Sequence, residues 1–131
     1  IVVGQIHADK NNAQIKAKTG FGYGNEPIKI FYKKFPGHKM GSVFWNYERN
    51  LSKNDPNRED LAHPVWGNTW ENQKDPGDAG IALGEKFSYR IDVKGTMMNL
   101  TFTTARHKTV KYTVDLSKGP DAKDSPTGYA Q

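Results

Sequence analysis

The sequence predicts an all-β fold, and two observations support this. Short segments alternate apolar and polar residues, as strands with one buried face do, and none of them has the period of a helix. The chain is also rich in turn formers and strand formers: it has 13 Gly, 7 Pro, six Tyr, six Phe and three Trp, with Val, Ile and Thr common in the alternating segments. Regular short strands separated by turns are typical of a β-sandwich of the jelly-roll kind, and 131 residues suit a single domain, 1–131.

Six strands are expected in chain order. They comprise residues 1–8, 27–34, 41–48, 87–93, 98–103 and 109–116. The second and third strands predict one hairpin, and the fourth and fifth predict another through a turn at Lys94 and Gly95. The fourth strand is expected to point these side chains inward: Phe87, Tyr89, Ile91 and Val93. We expect loops at 9–25 and at 49–80, the second with at most one helical turn, because it is polar and interrupted by Pro and Gly.

Several classes of partner are disfavoured by the composition. No apolar run approaches the roughly 20 residues of a membrane span, so we expect a soluble chain without a membrane partner. The absence of cysteine excludes disulfides and thiolate metal sites, while His38 and His107 lie in turns and form no metal-binding spacing, so no metal or cofactor is expected. The net charge of +5 favours a polyuronate, a nucleic acid or an acidic membrane surface. No fingerprint of a nucleic-acid module is present, and we expect no nucleic-acid partner.

The first strand carries the most informative pair of polar residues. Gln5 and His7 are two residues apart, so their side chains point to the same face of the strand. An amide can donate to a carboxylate without titrating, and an imidazole can accept a proton near neutral pH. The pair suits proton abstraction next to a carboxylate, although a sheet face that is polar without further role is the alternative.

Further candidates lie in the second strand and in the long loop. Lys29 and Lys33 share the basic outer face of the second strand, where they could bind carboxylates of an acidic polymer, or could be solvated lysines that protect a sheet edge. His63, Trp66 and Trp70 in the predicted loop could stack on a sugar ring or could anchor the loop. The residues alone leave both pairs of alternatives open.

Four parts of the sequence resemble one family. They are Val-Val-Gly-Gln-Ile-His-Ala at 2–8, Glu-Pro-Ile-Lys-Ile-Phe-Tyr-Lys-Lys at 26–34, Gly-Ile-Ala-Leu at 80–83 leading into Phe-Ser-Tyr at 87–89, and Gly-Tyr-Ala-Gln at 128–131. Together they resemble the alginate lyases of polysaccharide lyase families 7 and 18, and the last is similar to the end of the family's Tyr-Phe-Lys-Ala-Gly-x-Tyr-x-Gln motif. The resemblance spans nearly the whole chain, and Gln-Ile-His is its most specific element.

The resemblance implies a function and roles for individual residues. It implies a jelly roll whose concave sheet binds alginate, a polymer of 1,4-linked guluronate and mannuronate, and a lyase that cleaves it endolytically by β-elimination to unsaturated oligosaccharides. Gln5 would bind the carboxylate of the reacting sugar, His7 would be the base for guluronate, and Tyr129 would be the acid, or acid and base for mannuronate. Gln131 would contact the substrate, as would Lys29 and Lys33. The resemblance also implies a monomer that is secreted or periplasmic.

The sequence departs from the family pattern in two places. The family's Arg-x-Glu-x-Arg strand is absent from residues 1–131, and we expect it before Ile1, in a longer catalytic domain of which this chain is the C-terminal part. In the closing motif, Ser125 replaces a Lys and Thr127 replaces a Gly. A non-catalytic carbohydrate-binding sandwich for acidic polysaccharides and a nucleic-acid-binding β-domain are the alternative functions.

Overall fold

The computed structural model describes residues 1–7, 11–17, 26–48 and 60–116. The predicted site residues Tyr129 and Gln131 lie outside this range. The elements in chain order are β1 (Val2–Ile6), α1 (Asn12–Ala17), β2 (Ile28–Lys33), β3 (Met40–Glu48), β4 (Asp60–Trp66), a 3-10 turn (Gly77–Ala79), β5 (Ile81–Ala82), β6 (Phe87–Lys94), β7 (Met97–Thr104) and β8 (Val110–Asp115).

The strands form two antiparallel sheets. The larger sheet has the order β1-β2-β3-β4, with the short β5 paired to the start of β3, and the smaller sheet has the order β6-β7-β8. Both predicted hairpins, β2 with β3 and β6 with β7, are confirmed. The all-β sandwich predicted from the alternating segments is therefore the observed fold.

The core lies between the two sheets, and alternation along each strand decides which side chains enter it. The larger sheet contributes a row of apolar side chains from β2 and β3, and the smaller sheet contributes apolar side chains from β7 and β8. The fully buried members include Ile28, Ile30, Val43, Trp45, Tyr47, Met98, Leu100, Phe102 and Val114. The intervening residues of β2, among them Lys29 and Lys33, therefore point to the outer face of the larger sheet. That outer face carries the candidate site.

The prediction of a loop over 49–80 was wrong for residues 60–66. These residues form β4, which pairs with β3 over most of its length, and the pairing shifts register between Val43 and Phe44. Pro64 lies inside β4, and a proline lacks the N–H that a central strand needs. β4 is the edge strand of the larger sheet, so Pro64 is tolerated there. The proline that indicated a loop from sequence instead marks an edge.

One smaller expectation was also wrong. Residues 12–17 form a short helix, α1, inside the segment that was expected to be a loop. The N–H of Ile15 donates to the carbonyl of Asn11. In β6, Tyr89 and Val93 lie on the inward face, as alternation predicted, opposite the buried Phe102 and Met98, yet both stay partly exposed. β6 is the edge strand of the smaller sheet, so only part of its inward face is covered. Phe87 and Ile91, as predicted, pack against the core.

Candidate functional site

A row of polar residues crosses the outer face of the larger sheet. Gln5 in β1 is in register with Lys29 in β2, and Lys29 is in register with Asn46 in β3. Gln5 is exposed, Lys29 is half-buried and Asn46 is buried, so the row opens to solvent on its β1 side. His7 follows directly after β1, two residues from Gln5, and half of its side chain (53%) is exposed. The structure therefore brings together the predicted residues Gln5, His7 and Lys29.

Glu26 joins two of these residues. Its Oε1 lies 3.5 Å from Nε2 of His7, and its Oε2 lies 3.2 Å from Nζ of Lys29. The backbone N–H of Glu26 donates to Oε2 of Glu48 at 3.0 Å, which fixes the chain just before β2 begins. Sequence reasoning did not assign a role to Glu26. The available signal was its position three residues before Lys29, next to the strand that pairs with β1.

The four side chains form a compact group with mixed charge. The His7 imidazole and the Lys29 ammonium lie beside the Glu26 carboxylate, Gln5 is in register with Lys29, and the carboxylate and ammonium are each only 24% exposed. A neutral imidazole is a donor at one nitrogen and an acceptor at the other. When the hydrogen is on Nε2 of His7, facing Glu26, Nδ1 is the nitrogen that can accept a proton. Gln5 and Lys29 supply N–H donors for an anionic group nearby. The group can therefore hold a carboxylate and accept a proton next to it.

Lys33 occupies a different part of the outer face. Its ammonium donates to the backbone carbonyls of Thr69, at 2.5 Å, and Asn72, at 2.8 Å. Burial lowers the pKa of Lys33. Two of its three N–H groups thus bind the segment after β4, and its role as a substrate-binding residue stays a prediction.

The segment after β4 places Trp70 over the outer face. The ring of Trp70 packs nearly perpendicular to the stacked rings of Phe31 and Phe44, at centroid distances of 4.8 and 4.6 Å. Of the three aromatic candidates in this stretch, His63 stacks on Trp45 inside the sandwich and Trp66 is buried in the core. Trp70 is 45% exposed, so it is the one that can meet a ligand.

Asp75 holds the end of the same segment. Its carboxylate accepts the backbone N–H of Gly77 at 2.9 Å and that of Lys39 at 2.6 Å. These backbone hydrogen bonds, first that from Gly77, lower the pKa of Asp75. Near the start of the segment, the N–H of Asn68 donates to Oγ of Ser42. Contacts at both ends therefore keep Trp70 in place.

The described parts of the chain contain neither a cluster of metal ligands nor a transmembrane helix. Over 1–7, 11–17, 26–48 and 60–116, no three His, Asp or Glu side chains are grouped as metal ligands. His107 instead contacts the carbonyl of Gly80 through Nε2 at 2.8 Å and stacks on Trp66. Within the same ranges, no helix has both the length and the apolar character of a transmembrane span.

The sequence profile of the alginate lyases matches residues 1–130. The chain belongs to the alginate lyase family. An alginate lyase from Klebsiella pneumoniae is 35% identical over 121 residues, which are 90% of this chain and 34% of that protein. The resemblance seen in the sequence is thereby confirmed.

Two solved alginate lyases share the fold. The exolytic PL7 alginate lyase from Zobellia galactanivorans superposes with a TM-score of 0.72 and 45% identity, covering 97% of this chain and 40% of that one. The structure of the alginate lyase from Klebsiella pneumoniae gives a TM-score of 0.58 at 36% identity, covering 72% of this chain and 34% of that one. The jelly-roll prediction is confirmed by this likeness. The chain spans about a third of the length of the curated relative and two fifths or less of these solved chains.

Proposed function

We propose that the protein is a polysaccharide lyase that cleaves alginate by β-elimination. The observation that carries the proposal is the group on the outer face, in which Gln5 lies beside Lys29 while Glu26 contacts both Lys29 and His7. Membership of the alginate lyase family supports the choice of substrate. The relatives from Klebsiella pneumoniae and Zobellia galactanivorans are themselves named as alginate lyases.

The first chemical requirement is to make the proton on carbon 5 of the uronate removable. The adjacent carboxylate resists further negative charge, so donors must hold it before an enolate-like state can form. Gln5 offers a neutral amide donor, and Lys29 offers N–H groups that do not face Glu26. These two residues bind the carboxylate of the reacting sugar in our proposal.

The second requirement is a base and an acid. His7 takes the proton from carbon 5, a double bond forms between carbons 4 and 5, and the bond from carbon 4 to the glycosidic oxygen breaks. Tyr129, which the family motif assigns as the acid, gives a proton to the departing oxygen. Glu26 acts as a positioning residue, because its carboxylate contacts the imidazole and the ammonium at once.

The mode of cleavage is part of the proposal. We expect endolytic cleavage, since the outer face continues from His7 past Lys29 to Trp70 and offers contacts to sugar residues beyond the reacting one. The Zobellia galactanivorans relative is exolytic, so this mode needs its own test. Early release of oligomers of many lengths supports endolytic cleavage, and release of the smallest product alone from the start contradicts it.

The test of the reaction is the product. Incubation with alginate should give the ultraviolet absorbance of unsaturated uronate ends, and reducing ends that appear without this absorbance would mean hydrolysis and refute the proposal. His7→Ala should lower kcat on guluronate-rich alginate by about 10²–10⁴-fold with KM changed far less, because a base acts in the transition state. His38→Ala, which removes an imidazole from the β2–β3 turn, is the matched control and should leave kcat unchanged. Tyr129→Phe should abolish activity on both uronates.

A further inference from the structure

A cavity lies at the Lys33 end of β2, away from Lys29. It has a volume of about 540 Å³, which is in the range of sites that bind small molecules. Its lining includes basic and aromatic side chains, namely Lys33, Lys34, Phe35 and Trp70. Ile1, Tyr32 and Leu83 complete the lining with mainly apolar surface, together with Pro36.

Trp70 presents a rigid aromatic surface to this cavity. Its ring makes interplanar angles of 71° with Phe31 and 79° with Phe44, so it stands upright on the outer face instead of lying flat on it. Lys33 fixes the backbone on both sides of the tryptophan by binding the carbonyls of Thr69 and Asn72. A ring held in this way binds a ligand at a low cost in conformational entropy.

Lys34 supplies a positive charge that no described carboxylate neutralises. Among the described residues, no carboxylate lies within salt-bridge distance of its ammonium, whereas Lys29 is paired with Glu26. Lys33 is occupied with backbone carbonyls. The positive potential of the cavity therefore favours an anionic ligand, and its lysine can make a new charge pair.

The cavity is too far from the reacting group to belong to it. β2 rises about 3.4 Å per residue, so Lys33 lies about 14 Å along the strand from Lys29. This distance exceeds the length of a single sugar residue. A polymer whose reacting sugar lies at His7 and Gln5 could therefore reach the cavity with a different sugar residue of the same chain.

We infer that the cavity beside Trp70 is a second binding site for the polyuronate, in which Lys34 pairs with the carboxylate of a non-reacting sugar and Trp70 packs against its ring. The inference rests on the proposed function for the identity of the polymer. It assigns Trp70 and Lys34 to substrate binding and Lys33 to positioning the segment that carries Trp70. It also makes affinity depend on the length of the substrate.

The test compares Lys34→Ala and Trp70→Ala with the wild type on short and long oligoguluronates. Each variant should raise KM for long oligomers by about three- to tenfold, a loss expected of one exposed contact, with kcat unchanged. The shortest oligomers that are turned over should show no change in KM, because they do not reach the cavity. Lys34→Glu should weaken binding of long oligomers more than Lys34→Ala does, since it adds repulsion.

Lys111→Ala is the matched control, because Lys111 is exposed on β8 of the opposite sheet and its loss changes the net charge equally. If Lys34→Ala and Trp70→Ala match Lys111→Ala at every substrate length, the inference is wrong while the lyase assignment stands. If the wild type forms no unsaturated product, the proposed function is wrong. Calorimetric titration of the same variants with oligoguluronates then still decides the site: weaker binding in the two cavity variants supports it, and equal binding overturns it.

Discussion

Gly4 lies where the two sheets meet at their open edges, and its lack of a side chain allows that contact. The ring of Tyr89, from β6, packs on Gly4 of β1, and the Tyr89 hydroxyl donates to the carbonyl of Val3 at 2.9 Å. A Cβ added at Gly4 would lie 2.5 Å from Cζ of Tyr89 and 2.8 Å from its Cε2, closer than real Cβ atoms approach a ring. Gly4→Ala must therefore displace the tyrosine or the strand that carries Gln5.

The loss of stability caused by Gly4→Ala depends on how the ring of Tyr89 can move. Because Tyr89 is 39% exposed, its ring can move toward solvent instead of forcing the strands apart. That movement loses one hydrogen bond, about 0.5–1.5 kcal/mol, and part of the burial of the ring. Overpacking typically costs about 1–3 kcal/mol, and replacing Gly by Ala in a strand returns about 0.5–1 kcal/mol. We expect a net loss of about 1–2 kcal/mol, or a Tm lower by about 3–8 °C.

A double-mutant cycle measures this contact. Thermal or denaturant unfolding is compared for the wild type, Gly4→Ala, Tyr89→Ala and the double variant. In the Tyr89→Ala background, Gly4→Ala should be neutral or slightly stabilising, because the ring that it meets is gone. If Gly4→Ala destabilises equally in both backgrounds, the clash with Tyr89 is not the cause and the reasoning is refuted.

Three further predictions follow from contacts in the structure. Glu26→Gln should lower kcat, because it removes the charge that faces His7, and should change the free energy of unfolding by only about 1 kcal/mol, because half of the His7 side chain is exposed and the new amide oxygen can still accept from Lys29; an unchanged kcat would contradict its positioning role. Arg106, through hydrogen bonds to the Glu85 carboxylate, lowers the pKa of Glu85, so the stability that Glu85 contributes is complete above its usual pKa of about 4.3 and is lost as the pH falls through the lowered value. The Tm difference between wild type and Glu85→Gln should accordingly shrink on acidification, and a difference that grows would oppose this assignment. Lys33→Met should increase hydrogen exchange in the segment after β4, and unchanged exchange would show that its two carbonyl contacts do not hold that segment.

The sequence by itself determined the all-β class, both hairpins and the shared face of Gln5 and His7. These features depend on alternation along a strand, which is local and can be counted in the sequence. The motif around Gln5 and His7 also indicated the family, and the family profile confirmed it. The sequence was misleading at Pro64, because a proline that suggests a loop is also tolerated in an edge strand.

The tertiary structure decided which distant residues meet. Glu26 reaches His7 only because β1 and β2 pair in the observed register, and Lys33 binds two backbone carbonyls of a segment more than thirty residues later in the chain. Trp70 is likewise held in position by Phe31 in β2 and Phe44 in β3. Such contacts depend on packing and on the entropy of closing long loops, and no periodicity in the sequence encodes them.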